Sequence, residues 1–243
     1  MCDERVNYGE QMCAEPAISI VIPVLDESQL INDLLAHIHS LDGSKRAEVI
    51  VVDGDGSRST LQAIADVNTI KIVASPGRAV QMNAGAKASR GRILLFLHAD
   101  TNLPACALNR IEEAMESGAY VAGAFDLGIH AGGFPFRIIE RVASMRSRIT
   151  RIPFGDQAIF IRKDYFESIG GYEEIPLMED VEIMRRIRKR GDSIMFVNEK
   201  VDTSPRRWER EGVVLCTLRN WFLQILYLSG VSPDKLGKFY TRQ

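Results

Sequence analysis

Three groups of carboxylates stand where an apolar run stops, and acids in such places are candidates for chemistry. Asp53 and Asp55, one glycine apart, end the run in EVIVVDGDGSRST (48–60). Asp100 ends another in LLFLHADTNLP (94–104), and Glu179 and Asp180 are adjacent in PLMEDVEIM (176–184). A packed strand end gives an acid little water, so a pair there calls for a partner such as a nucleotide, a metal ion or a phosphoryl group. Asp100 suits a hard divalent ion that also takes two diphosphate oxygens. The same residue suits a plain turn before Pro104, because Asp-Thr-Asn is turn-like. At a helix start the dipole accounts for one acid of Glu179-Asp180. Two exceed what capping needs, and one of them can take a proton from an attacking hydroxyl.

The elements that must hold these acids alternate through the first half of the chain. ISIVIPV (18–24), EVIVV (48–52), IKIVA (70–74) and RILLFL (92–97) read as buried parallel strands. Between them, SQLINDLLAHIHSL with Ser28 as its cap, a segment around Leu61 and Ile64, and GRAVQMNAGAKAS (77–89) read as helices. Alternation of this kind implies an α/β fold, a mostly parallel sheet with helices on both faces. Ligands of such sheets bind beyond the carboxyl ends of the strands, where these acids lie.

The second half is less regular. YVAGAFDLGIHAGG and QAIFIR read as strands, and EDVEIMRRIRKRG reads as a helix with acids first, bases last and Gly191 as its stop. FRIIERVASMRSRITRI sets Ile138, Val142, Met145, Ile149 and Ile152 on one helical stripe and Arg137, Arg141 and Arg148 on the next. The arginine stripe reads as a solvated face, with contact to phosphates or a membrane surface as the alternative. The apolar segment Val213 to Val231 has nearly the length of a membrane span, but Arg219, Asn220 and Gln224 interrupt it. It is expected to pack on the domain or on a second subunit, with a bilayer surface as the rival partner.

The chain has 243 residues, 46% of them hydrophobic, which is enough for one α/β domain, 1–243, with a loose leader over 1–16. A formal net charge of −2 argues against a nucleic-acid partner held by bulk electrostatics. Cys2, Cys13, Cys106 and Cys216 form no CxxC pair and suit a reducing, cytoplasmic compartment. The polar N-terminus has no apolar core of a signal peptide.

DxDG after an apolar strand resembles the first motif of haloacid-dehalogenase-like phosphatases. That chemistry also needs a later paired-acid metal site, and later strand ends offer no adjacent Asp-Asp pair. No GxGxxG follows a strand, which weighs against a plain dinucleotide fold. Taken together, VVDGDGS, GRAVQMNAGA, LHADT, GDQ, the GGYEEIPLMEDVE run and RRWEREG, in this order, resemble a compact branch of the family-two glycosyltransferases with the GT-A fold, over nearly the whole chain. The resemblance implies a nucleotide-sugar half over 17–101 and an acceptor half over 102–243.

It places Pro23, Glu27, Asp53 or Asp55, Arg78, Asn83 and Ala99 around the nucleotide sugar, with Asp53 preferred over Asp55. HAD stands where the family has DxD, so Asp100 would carry Mg2+ or Mn2+, and His98 would be a second ligand or a packing residue. Asp180, beside Glu179, would be the base. Gly155, Asp156 and Gln157 match a segment near the acceptor. Arg206, Arg207 and Trp208 match an acceptor-side motif whose arginines neutralise the leaving diphosphate. The implied reaction is inverting transfer of a sugar to a hydroxyl acceptor. The alternatives are a nucleotidyltransferase, which would show a glycine-rich phosphate loop after the first strand, and a non-catalytic nucleotide- or sugar-binding module. The location implied is cytoplasmic, with the inner membrane face as a peripheral site and the C-terminal helix as the point of contact or of homo-oligomerisation.

Overall fold

The computed structural model describes residues 15–240. Most of the expected leader, with Cys2 and Cys13, lies outside the described residues. Eight strands form one sheet in the order β3-β2-β1-β4-β7-β6-β8-β5. The strands β1 (Ile18–Val24), β2 (Ala47–Asp53), β3 (Ile70–Val73) and β4 (Ile93–Phe96) run parallel, as their unbroken apolar runs imply. Past β4 the direction alternates. β7 (Phe160–Arg162) is antiparallel to both β4 and β6 (Ala122–Ile129), while β8 (Ile194–Thr203) runs parallel to β6. The two-residue β5 (Thr101–Asn102) closes the edge antiparallel to β8.

Successive side chains on a strand point to opposite faces, so β1, β2 and β4 feed two cores. On one face Ile20, Ile22, Val51 and Leu95 meet α1 (Ile31–Ser40) and α4 (Ala107–Glu116). On the other, Val21, Val52, Leu94 and Phe96 meet α3 (Arg78–Ala88), α6 (Lys163–Ser168) and α7 (Glu179–Arg190). The short α2 (Ser59–Ala63) follows β2. Because β1 has β2 on one side and β4 on the other, a crevice opens at their carboxyl ends, the switch point of an open α/β sheet.

Several local features depart from the sequence reading. α1 begins at Ile31, and Ser28 lies in the preceding turn instead of capping it. α3, in contrast, starts after Gly77 as the sequence implies, the glycine standing at φ +140°, a conformation that side chains other than hydrogen rarely adopt. β8 carries Asn198, Glu199 and Lys200 in its middle, which hid it as a strand. The ladder absorbs them by a register shift, Phe125 pairing with Val197 and Asp126 with Lys200.

The largest departure is α5 (Phe134–Thr150). Its buried residues are Glu140, Ser144 and Ser147, while Ile138, Met145 and Ile149 face outward. The buried polar groups are bonded: the Leu127 and Ile129 N–H groups donate to Ser144 Oγ and Glu140 Oε1, each at 3.0 Å. After α8 (Arg206–Glu211), α9 (Val213–Leu228) packs one side inward through Cys216, Leu223 and Gln224 and leaves the other exposed; α10 (Pro233–Tyr240) ends the described chain. The expected burial of the C-terminal apolar segment therefore holds for one face of α9 only. Among the described residues, no helix is long and apolar enough to cross a membrane.

Candidate active site

One side of the crevice is built from the ends of β1 and β2 and the start of α3. Asp53, the last residue of β2, is fully buried, and its carboxylate accepts the backbone N–H groups of Asp55 (2.8 Å) and Leu61 (3.4 Å). It shapes the loop. Asp55 is the acid that faces outward, held below its usual pKa by the hydroxyls of Ser57 and Ser59. A phosphatase nucleophile must be reachable, and Asp53 is covered, so that alternative fails on geometry as well as on the missing paired-acid site. Gln81, which the motifs did not single out, donates its amide to the carbonyls of Val24 (2.7 Å) and Val52 (2.8 Å) and so ties the two strand ends together. Pro23 lies half-buried beside it in β1.

Arg78, at the first position of α3, reaches Glu179 Oε1 at 3.4 Å. Glu179 is only 3% exposed, and burial raises its pKa against the pull of Arg78. Asn83 uses its whole amide on the backbone of Tyr172, donating to the carbonyl and accepting from the N–H, both at 2.9 Å. Asn83 is thus a clasp on the GGY loop instead of a group presented to the crevice.

His98, Ala99 and Asp100 follow β4. Ala99 is buried, and Asp100 Oδ2 lies 3.7 Å from the guanidinium of Arg206, which also faces Glu27 Oε2 at 3.8 Å. Burial raises the pKa of Glu27, opposed by Arg206. His98 is pushed down to about 3, first by burial and then by Arg78 and Arg207, so its imidazole is neutral and able to ligate. Among the described residues no three His, Cys, Asp or Glu side chains gather into a metal cage. One carboxylate and one neutral imidazole instead fit a hard divalent ion that arrives with a diphosphate and completes its shell from phosphate oxygens and water.

The other side is carried by a 3-10 turn at Gly155–Gln157 and by the start of α7. Asp180 is pinned by two backbone donors at 2.7 Å, Gly155 N–H on Oδ2 and Val181 N–H on Oδ1. A Cβ on residue 155 would lie 3.0 Å from His98 Nε2 and 3.5 Å from Asp180 Oδ2, so glycine lets three segments meet there. Asp156 is pushed up to about 6, chiefly by burial and then by Asp180, with Arg146 opposing. Arg146, from α5, stacks its guanidinium 3.7 Å from the Phe154 ring centre. It was invisible as a site residue among the other arginines of that helix.

Gln157 is a buried staple, accepting from Ser147 Oγ (2.6 Å) and donating to the Phe125 carbonyl (2.9 Å). Trp208 packs its ring among Leu127, Ile129 and Cys216, whereas Arg206 on the same short helix turns toward Asp100. Backbone strain gathers at these borders. Of the five non-glycine residues with positive φ among those described, Asp26, Arg58, Ala158 and Met178 flank Glu27, the Asp55 loop, Gln157 and Glu179.

Residues 19–170, more than half of the chain, match the family described as "Glycosyl transferase family 2". Among curated proteins nothing matches the chain. Solved structures share the fold. Staphylococcus aureus TarS, residues 1–349 in complex with UDP, superposes with a TM-score of 0.63 at 17% identity, over 77% of this chain and 60% of that one. The mannosyltransferase PcManGT from Pyrobaculum calidifontis, in complex with GDP-Man and Mn2+, gives a TM-score of 0.63 at 20% identity, over 78% of this chain and 56% of that one. The chain thus spans about three fifths of the length of these proteins or slightly less.

Proposed function

The chain belongs to glycosyl transferase family 2 and is a glycosyltransferase, and on that premise we propose that it performs an inverting transfer from a nucleoside-diphosphate sugar to a hydroxyl acceptor, assisted by a divalent cation. The observation that carries the reading is the placement of Asp180. Its carboxylate is oriented by two backbone donors, beside Glu179, which holds Arg78 of the donor side. An oriented acid next to an anion-binding arginine is what direct displacement needs.

In this reading the acceptor hydroxyl gives its proton to Asp180 as its oxygen attacks the anomeric carbon. The bond from that carbon to the diphosphate breaks, and its electron pair leaves on the diphosphate oxygen. Attack opposite the leaving group inverts the configuration. Arg78, Arg206 and Arg207 meet the charge gathering on the diphosphate. Asp100 and His98 would hold Mg2+ or Mn2+, which would offset the same charge. Asp55, half-buried in the loop just past β2, is the acid that contacts the base or ribose, while Asp53, Gln81 and Asn83 fix the loops around it. The neighbours bind UDP, UDP-GlcNAc, or GDP-Man with Mn2+, which supports a nucleotide-sugar donor.

The test is Asp180→Asn, assayed for transfer or slow donor hydrolysis and, separately, for nucleotide binding by calorimetry. Turnover should fall about a hundredfold or more, the scale of a lost general base, with nucleotide affinity retained. Wild-type turnover would remove the base assignment and leave Asp180 as a helix cap. Loss of nucleotide binding would place it on the donor side instead.

A further inference from the structure

We propose that the outward faces of α5 and α9 form one docking surface for an anionic lipid bilayer, an inference independent of the reaction assigned above. α5 is inside out for a water-facing position, and α9, which buries Cys216 and Leu223 as well as Gln224, is apolar on its outer side too. α5 buries Glu140, Ser144 and Ser147 and turns Ile138, Met145 and Ile149 to solvent, Ile149 being 74% exposed. α9 buries Gln224 and turns out Leu215, Leu218, Phe222 and Ile225, with Leu215 72% exposed. The two helices join through polar groups on their inner sides, Arg146 Nη1 donating to Gln224 Oε1 at 3.3 Å. A water-facing helix side is ordinarily polar, and two packed helices, each about 25 Å long, that both turn large apolar side chains outward are a partner site.

Charge selects the partner. The only acid of α5 is Glu140, which is buried and bonded to Arg137 and Lys200, and α9 contains no acid. The outward side of α5 instead carries Arg141, exposed within the apolar stripe and without an ion pair among the described residues. A two-fold partner copy would set Arg141 and its apolar surroundings against an identical face with no carboxylate to receive it. Lipid phosphates would receive it. Trp221, one of two tryptophans, stands 37% exposed on the same side of α9, the position an interfacial aromatic takes. Because no described helix is long and apolar enough to span, the contact lies on the bilayer surface.

The test is co-sedimentation of the full chain with phosphatidylcholine vesicles, with and without phosphatidylglycerol. Binding to the anionic vesicles is expected, with part of it surviving high salt because apolar side chains insert. Phe222→Ser, at an exposed position that does not threaten folding, should weaken it roughly tenfold. Arg141→Glu should remove the preference for phosphatidylglycerol. Asp180→Asn should pellet like the parent, which separates this proposal from the reaction. No pelleting with anionic vesicles at low salt overturns it. A dimer that Phe222→Ser splits, with vesicles ignored, overturns it in favour of a second copy. Equal binding of Arg141→Glu and parent overturns the choice of anionic lipid.

Discussion

At the scale of single residues, the structure sorts acids that look alike in sequence. Asp53 and Asp55 stand two positions apart, yet one is sealed inside and bonded to backbone while the other faces solvent. The motifs located the site, because each acid follows an apolar run; they did not tell a loop-shaping acid from an exposed one, which depends on how the next few residues turn. The same limit applies to Asn83 and Gln157, whose amides close on backbone. Asp156 yields a test that needs no substrate. Its folded pKa is pushed up to about 6, mainly by burial, from an ordinary 3.8. A folded carboxyl that holds its proton more tightly than the unfolded one loses stability as pH rises between those values, and the penalty is complete above about pH 7. Asp156→Asn removes the charge that carries the penalty. Thermal unfolding should show the variant more stable than the parent at pH 8, by on the order of 1–3 kcal/mol, with the gap closing toward pH 4. A gap that stays constant with pH would mean that Asp156 ionises at its ordinary value.

At the scale of elements, packing against the sheet sets the tolerances. Gly85 sits where α3 crosses β1 and β2, and a Cβ there would come within 2.4 Å of Val21 Cγ1 and 3.1 Å of Val52 Cγ2. Alanine in a helix interior gains up to about 1 kcal/mol over glycine. Overpacking against two branched, fully buried valines costs typically 1–3 kcal/mol, so Gly85→Ala should lower the urea midpoint. A raised midpoint would show that α3 can slide along the sheet. Three strands of the parallel half, β1, β2 and β4, were legible as mainly apolar runs buried on both faces, and β3, with alternate residues exposed, as a short β-branched run. β8 was not, because its central Asn198, Glu199 and Lys200 are tolerated only through a register shift that periodicity cannot show. α5 was legible as a helix but not in its orientation. A 3.6-residue pattern identifies a stripe, and only the buried bonds of Glu140 and Ser144 show that the polar side faces the protein.

At the scale of the whole molecule, the two halves of the chain are bridged at the crevice. Arg78 meets Glu179 across 101 positions of sequence, Asn83 clasps Tyr172, and Arg206 near the end of the chain faces both Glu27 and Asp100 from its first half. The long contacts of Arg206, whose side chain is 53% exposed, are worth at most about 1 kcal/mol. On the proposed reading they would give way to charge-assisted bonds to a diphosphate, and that exchange would free Asp100 for a cation. Nucleotide and cation should accordingly stabilise the fold together. Thermal unfolding with a saturating nucleoside diphosphate should rise further when Mn2+ is added, by a few kcal/mol of linked stability at about a hundred times the dissociation constant. Asp100→Asn, which keeps the shape and removes the charge, should retain the nucleotide effect and lose the added effect of manganese. His98→Ala should reduce that increment less; if it abolishes the increment while Asp100→Asn leaves it intact, the imidazole and not the carboxylate holds the ion.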